Sequence, residues 1–105
     1  MSLRMNDTVL IPDFVFSRPG QEPDEYRVFN TPPQLCVEII SPSQTFGELH
    51  TKCPGYLRWG VPHCWVIDPV KRQAWRIGQD EIAREIPAGG FLEAAGLRVS
   101  LSELW

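Results

Sequence analysis

Apolar residues along the chain bunch into short runs separated by proline, glycine and charge, and the runs change period from one to the next. Val9-Leu10-Ile11, then Pro12-Asp13, then Phe14-Val15-Phe16 reads as a strand with a local break, or one at a sheet edge where proline's missing N–H does no harm. Leu35-Cys36-Val37-Glu38-Ile39-Ile40-Ser41 is nearly continuous apolar sequence rich in branched side chains, which predicts a central strand buried on both faces. Cys64-Trp65-Val66-Ile67-Asp68 predicts a second, closed by Asp68-Pro69, and Gln73–Ile77 a third after a short turn. Residues 81–86 alternate with period two, as in a further edge strand. Phe46, Leu49, Cys53, Tyr56 and Leu57 recur at helical spacing and predict one principal helix over about 45–59. Ser41-Pro42-Ser43 offers N-cap hydroxyls ahead of it, Pro54-Gly55 should kink or split it, and Gly60 should cap its end. Residues 17–33 read as a polar connection, and Leu97-Val99-Leu101 leads into a helical turn at 102–105. The sum is an α/β layer structure: a mixed β-sheet, one principal helix after the Glu38 strand, and small appendages.

Composition narrows the class. With 105 residues, 43% of them hydrophobic and 22% charged, the chain is expected to form a single domain over 1–105. Ten prolines and eight glycines argue against an all-helical bundle. A formal charge of −3 is a poor footprint for a general nucleic-acid binder, whose affinity comes from neutralising phosphates. It leaves room for an enzyme that uses a bound cation and a local basic face. Cys36, Cys53 and Cys64 are odd in number and form no CxxC pair, so they read as reduced thiols in a cytoplasmic protein. No apolar run reaches the roughly 18–20 residues that span a bilayer, and no membrane association is expected. Met1-Ser2-Leu3, followed by a second methionine at Met5, reads as a cloning remnant.

Glu38 changes the picture most. A carboxylate inside an apolar strand is costly to bury and persists when paired, protonated or bound to a cation. Asp13 lies in the preceding strand region. Neighbouring strands run about 4.8 Å apart, close enough for two carboxylates to share one ion. Two acidic groups repel, and a divalent cation reverses the sign of that interaction. Mg²⁺ or Mn²⁺ would suit such a pair, since magnesium takes one or two carboxylates and keeps waters and phosphate oxygens for the rest. Lys52, on the following helix, has a stem long enough to bring an ammonium back to the same place.

Several quoted stretches together carry a resemblance: Pro33 to Ser43 (Pro-Gln-Leu-Cys-Val-Glu-Ile-Ile-Ser-Pro-Ser), Lys52, and Tyr56 to Pro69 (Tyr-Leu-Arg-Trp-Gly-Val-Pro-His-Cys-Trp-Val-Ile-Asp-Pro). This block resembles the putative restriction endonuclease family of the PD-(D/E)XK nuclease superfamily. Val9 to Asp13 is similar to that family's first acidic motif, and Gly96 to Trp105 to its usual ending. The resemblance implies a restriction-endonuclease-like fold, Asp13 and Glu38 as catalytic metal ligands, and Lys52 as the catalytic lysine. The superfamily's simplest motif places the lysine two residues after the acid, where this chain has Ile40; the family instead places it on the next helix, which matches Lys52. Glu48 falls where the family often has an aspartate and would give polar support. Family members usually carry a largely helical segment before the first acidic motif, so an N-terminally shortened domain is expected.

Plainer readings stand beside these. Glu38 as a structural acid at a strand end, Asp13 as a turn residue after proline, and Lys52 as an exposed helix lysine need no metal. Asp68-Pro69 reads as a strand terminus. His63 and Cys64 would point to opposite faces of a strand and so form no nucleophile pair. Trp59, Trp65 and Trp75 read as core or interface anchors, and Arg58, Lys71, Arg72 and Arg76 as solubilising charge or phosphate contacts. The expectation is a Mg²⁺- or Mn²⁺-dependent endonuclease acting on DNA as a homodimer. Its rival is a catalytically silent, shortened homologue that uses an uncovered sheet face as a dimerisation or binding module.

Overall fold

A computed structural model describes residues 13–17, 31–42, 47 and 52–105, together with the backbone pairing of residues 2–5, 8–10 and 28–29. The elements run β1 (Ser2–Met5), β2 (Thr8–Leu10), β3 (Phe14–Phe16), β4 (Val28–Phe29), β5 (Leu35–Ile39), α1 (Cys53–Trp59), β6 (His63–Asp68), β7 (Gln73–Ile77), β8 (Ala83–Glu85), β9 (Phe91–Ala94) and β10 (Leu97–Ser100), then a 3-10 turn at Leu101–Glu103. The strands pair in the orders β2-β1-β4, β3-β5-β6-β7-β8 and β10-β9. The five-stranded sheet is mixed: β5 and β6 are parallel, and the other neighbours antiparallel. A parallel pair needs a crossover connection, and the segment containing α1 supplies it. This is the mixed α/β arrangement that the apolar runs predict.

Alternation along β5 sorts its side chains onto two faces. Cys36 and Ile40 enter a core with Cys53, Tyr56 and Leu57 of α1 and with Cys64, Val66 and Ile77 of the neighbouring strands. Leu35 belongs to a second core with Trp65, Ile67, Ala74 and Ile86, which Leu92, Ala94 and Leu101 close from the other side. The sheet is thus sandwiched between α1 and the β9–β10 hairpin. Both of its faces carry a packed layer, so the bare face expected of a shortened domain is not found among the described residues. The hairpin that covers one of them is the element the sequence reading lacked.

Helix α1 is only seven residues long, too short to be stable alone, so its position comes from its contacts. The predicted helix over 45–59 is described only over Cys53–Trp59, with residue 47 also helical; Ser43, Phe46, Glu48 and Leu49 lie outside the described residues. Pro54 falls in the first turn of α1, not in an interior. The first four N–H groups of a helix have no partner within it, so proline costs nothing there. Gly60 caps the other end at φ 121°, a conformation costly for any residue with a Cβ, and its N–H donates to the Leu57 carbonyl. The Gln79 side-chain amide donates to the carbonyls of Leu57 and Val61 at 3.0 and 2.6 Å, fastening that end of the helix beside β7.

Two further points come from the structure. Ser2–Met5, whose first residues read as a cloning remnant, is paired as the middle strand of its sheet, with Leu3 opposite both Leu10 and Phe29. The polar connection at 17–33 contains β4, although most of that stretch lies outside the described residues. Asp68 is the strand terminus expected of it, its Oδ1 accepting the N–H groups of Val70 and Lys71 at 3.1 and 3.0 Å. Trp65 sits in the hairpin-side core, and Trp59 and Trp75 pack against the helix-side one. Among the described residues no helix is long and apolar enough to cross a membrane.

Candidate active site

Strand β5 carries Glu38 toward α1, because Glu38 shares its face with Cys36 and Ile40. Only 2% of Glu38 is exposed. Its Oε1 accepts a hydrogen bond of 2.5 Å from the Tyr56 hydroxyl, a group itself inaccessible to solvent. The register between β3 and β5 pairs Phe14 with Val37 and Val15 with Cys36. One step further along this antiparallel ladder, Asp13 stands opposite Glu38, and opposite residues share a face. Asp13 is exposed, and its Oδ2 accepts the Ile39 N–H at 2.6 Å, so its side chain extends the ladder just ahead of β3. The first two expected site residues are therefore brought together from separate strands.

Lys52 occupies the N-cap of α1, half-buried, with its carbonyl accepting the Gly55 N–H at 3.1 Å. It precedes Tyr56 by four residues, which puts both on one side of the helix. Lys52 is close enough for its charge to act on Glu38. Burial is the main influence on that carboxyl and pushes its pKa above the ordinary 4.5; the Tyr56 hydrogen bond and then Lys52 pull it down, and Asp13 pushes it up. Burial, with the hydrogen bond to Glu38 second, drives the Tyr56 phenol far above its usual range. A hydroxyl that holds its proton so firmly is the donor in this pair.

The donor chemistry fits a hard divalent cation. Asp13 and Glu38 offer carboxylate oxygens from facing positions of the ladder, with Asp13 Oδ2 accepting from the Ile39 N–H and Glu38 Oε1 from Tyr56. The described residues hold no group of three or more His, Cys, Asp or Glu side chains able to bind a metal, so remaining positions would fall to water and substrate oxygens. The thiols do not compete. Cys36, Cys53 and Cys64 are buried thiols outside any disulfide, with Cys53 Sγ 2.9 Å from Cys64 Sγ. Burial raises Cys36, and the Cys53 contact followed by burial raises Cys64, which keeps the Cys36 and Cys64 sulfurs protonated.

Tyr56 is the site residue that sequence reasoning missed. Its spacing marks a helix face turned to the core, but a hydroxyl on that face must find a partner, and the nearest buried acceptor in the pattern is Glu38. Glu48, the supporting acid implied by resemblance, lies outside the described residues. His63 is exposed while Cys64 is buried, which separates them as expected.

The fold is similar to the crystal structure of a putative nuclease belonging to DUF820 from Anabaena variabilis, with a TM-score of 0.81 at 19% sequence identity. That alignment covers 98% of this chain and 63% of the other, so this chain spans less than two thirds of its length. A search of curated proteins finds no match. A family model described as "Putative restriction endonuclease" matches residues 1–101, and with nearly all of its length covered the chain belongs to that family, Uma2.

Proposed function

We propose that this chain is a metal-dependent endonuclease that hydrolyses DNA phosphodiester bonds. The observation that carries the proposal is the placement of Asp13 opposite Glu38 at the start of the β3–β5 ladder, with the charge of Lys52 bearing on the same carboxylate. Asp13 and Glu38 would hold Mg²⁺ or Mn²⁺. Such an ion would supply Lewis-acid charge to a phosphate oxygen and would lower the pKa of a water, so that the water could give its proton to solvent and become a nucleophile. Lys52 would stabilise the negative charge that gathers on the phosphoryl oxygens. Its half-buried stem holds the ammonium near a carboxylate whose surroundings exclude most water, which strengthens the interaction. Cutting both strands of a duplex assigns one site to each, and a symmetric pair of chains, each a single domain over 1–105, supplies two.

The test is plasmid cleavage in Mg²⁺ or Mn²⁺ by the native chain, Asp13→Ala, Glu38→Ala and Lys52→Ala. Both acid variants should fall to background, Lys52→Ala should lose on the order of 10²–10³-fold in rate, and EDTA should stop the native chain. Equal cutting by the native chain and both acid variants sinks the assignment. One observation favours the silent-homologue reading: Glu38 is almost inaccessible, with one oxygen engaged by Tyr56. A native chain that cuts nothing and takes up no Mn²⁺ would select that alternative.

A further inference from the structure

We propose that Tyr56 is a positioning residue of this site: it holds one oxygen of Glu38 and thereby presents the other to the cation. The inference rests on the metal-dependent reading above. The Tyr56 ring is fully buried in the helix-side core, where a phenylalanine would pack as well. A hydroxyl in that place costs free energy unless it is satisfied, and Glu38 Oε1 satisfies it at 2.5 Å. The tyrosine hydroxyl donates to Oε1, and that oxygen is fixed. With one oxygen fixed, the plane of the carboxylate is set, and Oε2 is left as the atom to meet a cation.

The same bond orients the helix. Lys52 and Tyr56 lie four residues apart, so the rotation of α1 that seats the hydroxyl on Glu38 also turns Lys52 toward that carboxylate. Partners of metal ligands commonly act in this way, by restricting the ligand rather than touching the ion.

Mn²⁺ titration of the full chain by calorimetry, beside thermal melts, separates positioning from mere packing. Tyr56→Phe should weaken Mn²⁺ binding on the order of 10–100-fold. Ile77→Val, which trims the same core without touching Glu38, should bind as the native chain does. Native affinity in Tyr56→Phe, with Glu38→Ala abolishing binding, overturns the role of Tyr56 and leaves the metal site standing. A native chain that takes no Mn²⁺, or binds it equally after Glu38→Ala, overturns both. If Tyr56→Phe fails to fold, 3-fluorotyrosine at the two tyrosines keeps the question open to measurement. Its fluorine resonance at Tyr56, assigned with Tyr26→Phe, should shift on Mg²⁺ addition and saturate with binding. A resonance unmoved at saturating Mg²⁺ overturns the proposal.

Discussion

The two cores that sandwich the five-stranded sheet are built from different chemistry. Between the sheet and the β9–β10 hairpin lie Leu35, Trp65, Ile67, Ile86, Leu92 and Leu101, a layer that is nearly all hydrocarbon. Between the sheet and α1 lie three thiols and a phenol, contributed by strands and helix together, and alongside them the carboxyl of Glu38. Apolar burial is worth about 25 cal/mol per Å², whereas a buried ionisable group subtracts unless its partners offset the lost hydration. Tyr56 offsets part of that cost for Glu38, and no buried side-chain nitrogen or oxygen among the described residues lacks a hydrogen bond. The lesson is a difference across one sheet: one face is packed with hydrocarbon, and the other carries a buried acid that its partners must satisfy.

The largest effect should come from breaking the apolar side. Leu92 is fully buried, and Leu92→Ala removes its side chain from the hairpin layer, at a cost of about 2–5 kcal/mol. Urea melts should show this loss, while Mn²⁺ affinity, measured where the variant is still folded, stays native. A drop in affinity matching that of Tyr56→Phe would show that the two faces are not separate.

Glu38→Gln should do the reverse. The amide oxygen still accepts from Tyr56, but no charge has to be buried, so stability at neutral pH should hold or rise by about 1 kcal/mol while Mn²⁺ binding and cleavage vanish. The pH dependence fixes the sign. Burial raises the Glu38 pKa above 4.5, so the folded chain keeps this proton where the unfolded chain has already released it. The stability this contributes is complete below about 4.5 and is lost as pH climbs through the raised value. The advantage of Glu38→Gln over the native chain should therefore widen as pH rises from about 4.5 through the raised value and level off above it, and Mn²⁺, which binds only the native carboxylate, should narrow it. Parallel melts that keep a constant gap would contradict a buried, proton-retaining Glu38.

How much of this was legible in the sequence depends on where the information lies. Strands β5 and β6 stand out because strands covered on both faces are nearly continuous apolar sequence, β7 follows β6 after a short turn, and Glu38 is conspicuous against that background. Gly60 and Asp68-Pro69 also read correctly, since a helix cap and a side-chain-stabilised turn are local devices. Strand β9 did not. Phe91-Leu92-Glu93-Ala94 ends in an alanine of weak strand preference, and its two-residue turn places Ala95 at φ 54° before Gly96 at φ 82°, a geometry that usually asks for Asn-Gly. Packing of Leu92 against the sheet outweighs that local cost. Strand β4, two residues long, pairs with β1 across more than twenty residues, a contact no local pattern encodes. Tyr56 and Glu38 are separated by eighteen positions, so their bond required the fold.

The smallest effects should lie on the surface, and they still distinguish the two faces. On the hairpin, Arg98 Nε sits 3.2 Å from Glu93 Oε1, and its guanidinium lies 3.9 Å from the centroid of the Phe91 ring. On the helix side, Arg58 reaches Glu81 at 3.1 Å with most of its side chain in water. An exposed ion pair contributes about 0–1 kcal/mol, and salt screens it. A cation over an aromatic ring adds about 0.5–1 kcal/mol, and the arginine stem also shields apolar surface. Arg58→Ala should thus cost a few tenths of a kcal/mol, a loss that disappears in 1 M NaCl. Arg98→Ala should cost about 1 kcal/mol, and part of that loss should survive salt, because Phe91 is left uncovered whatever the ionic strength. Melts of both variants at low and high salt decide the matter: if salt erases both losses alike, the ring contact on the hairpin contributes nothing, and the apolar character of that side ends at its core.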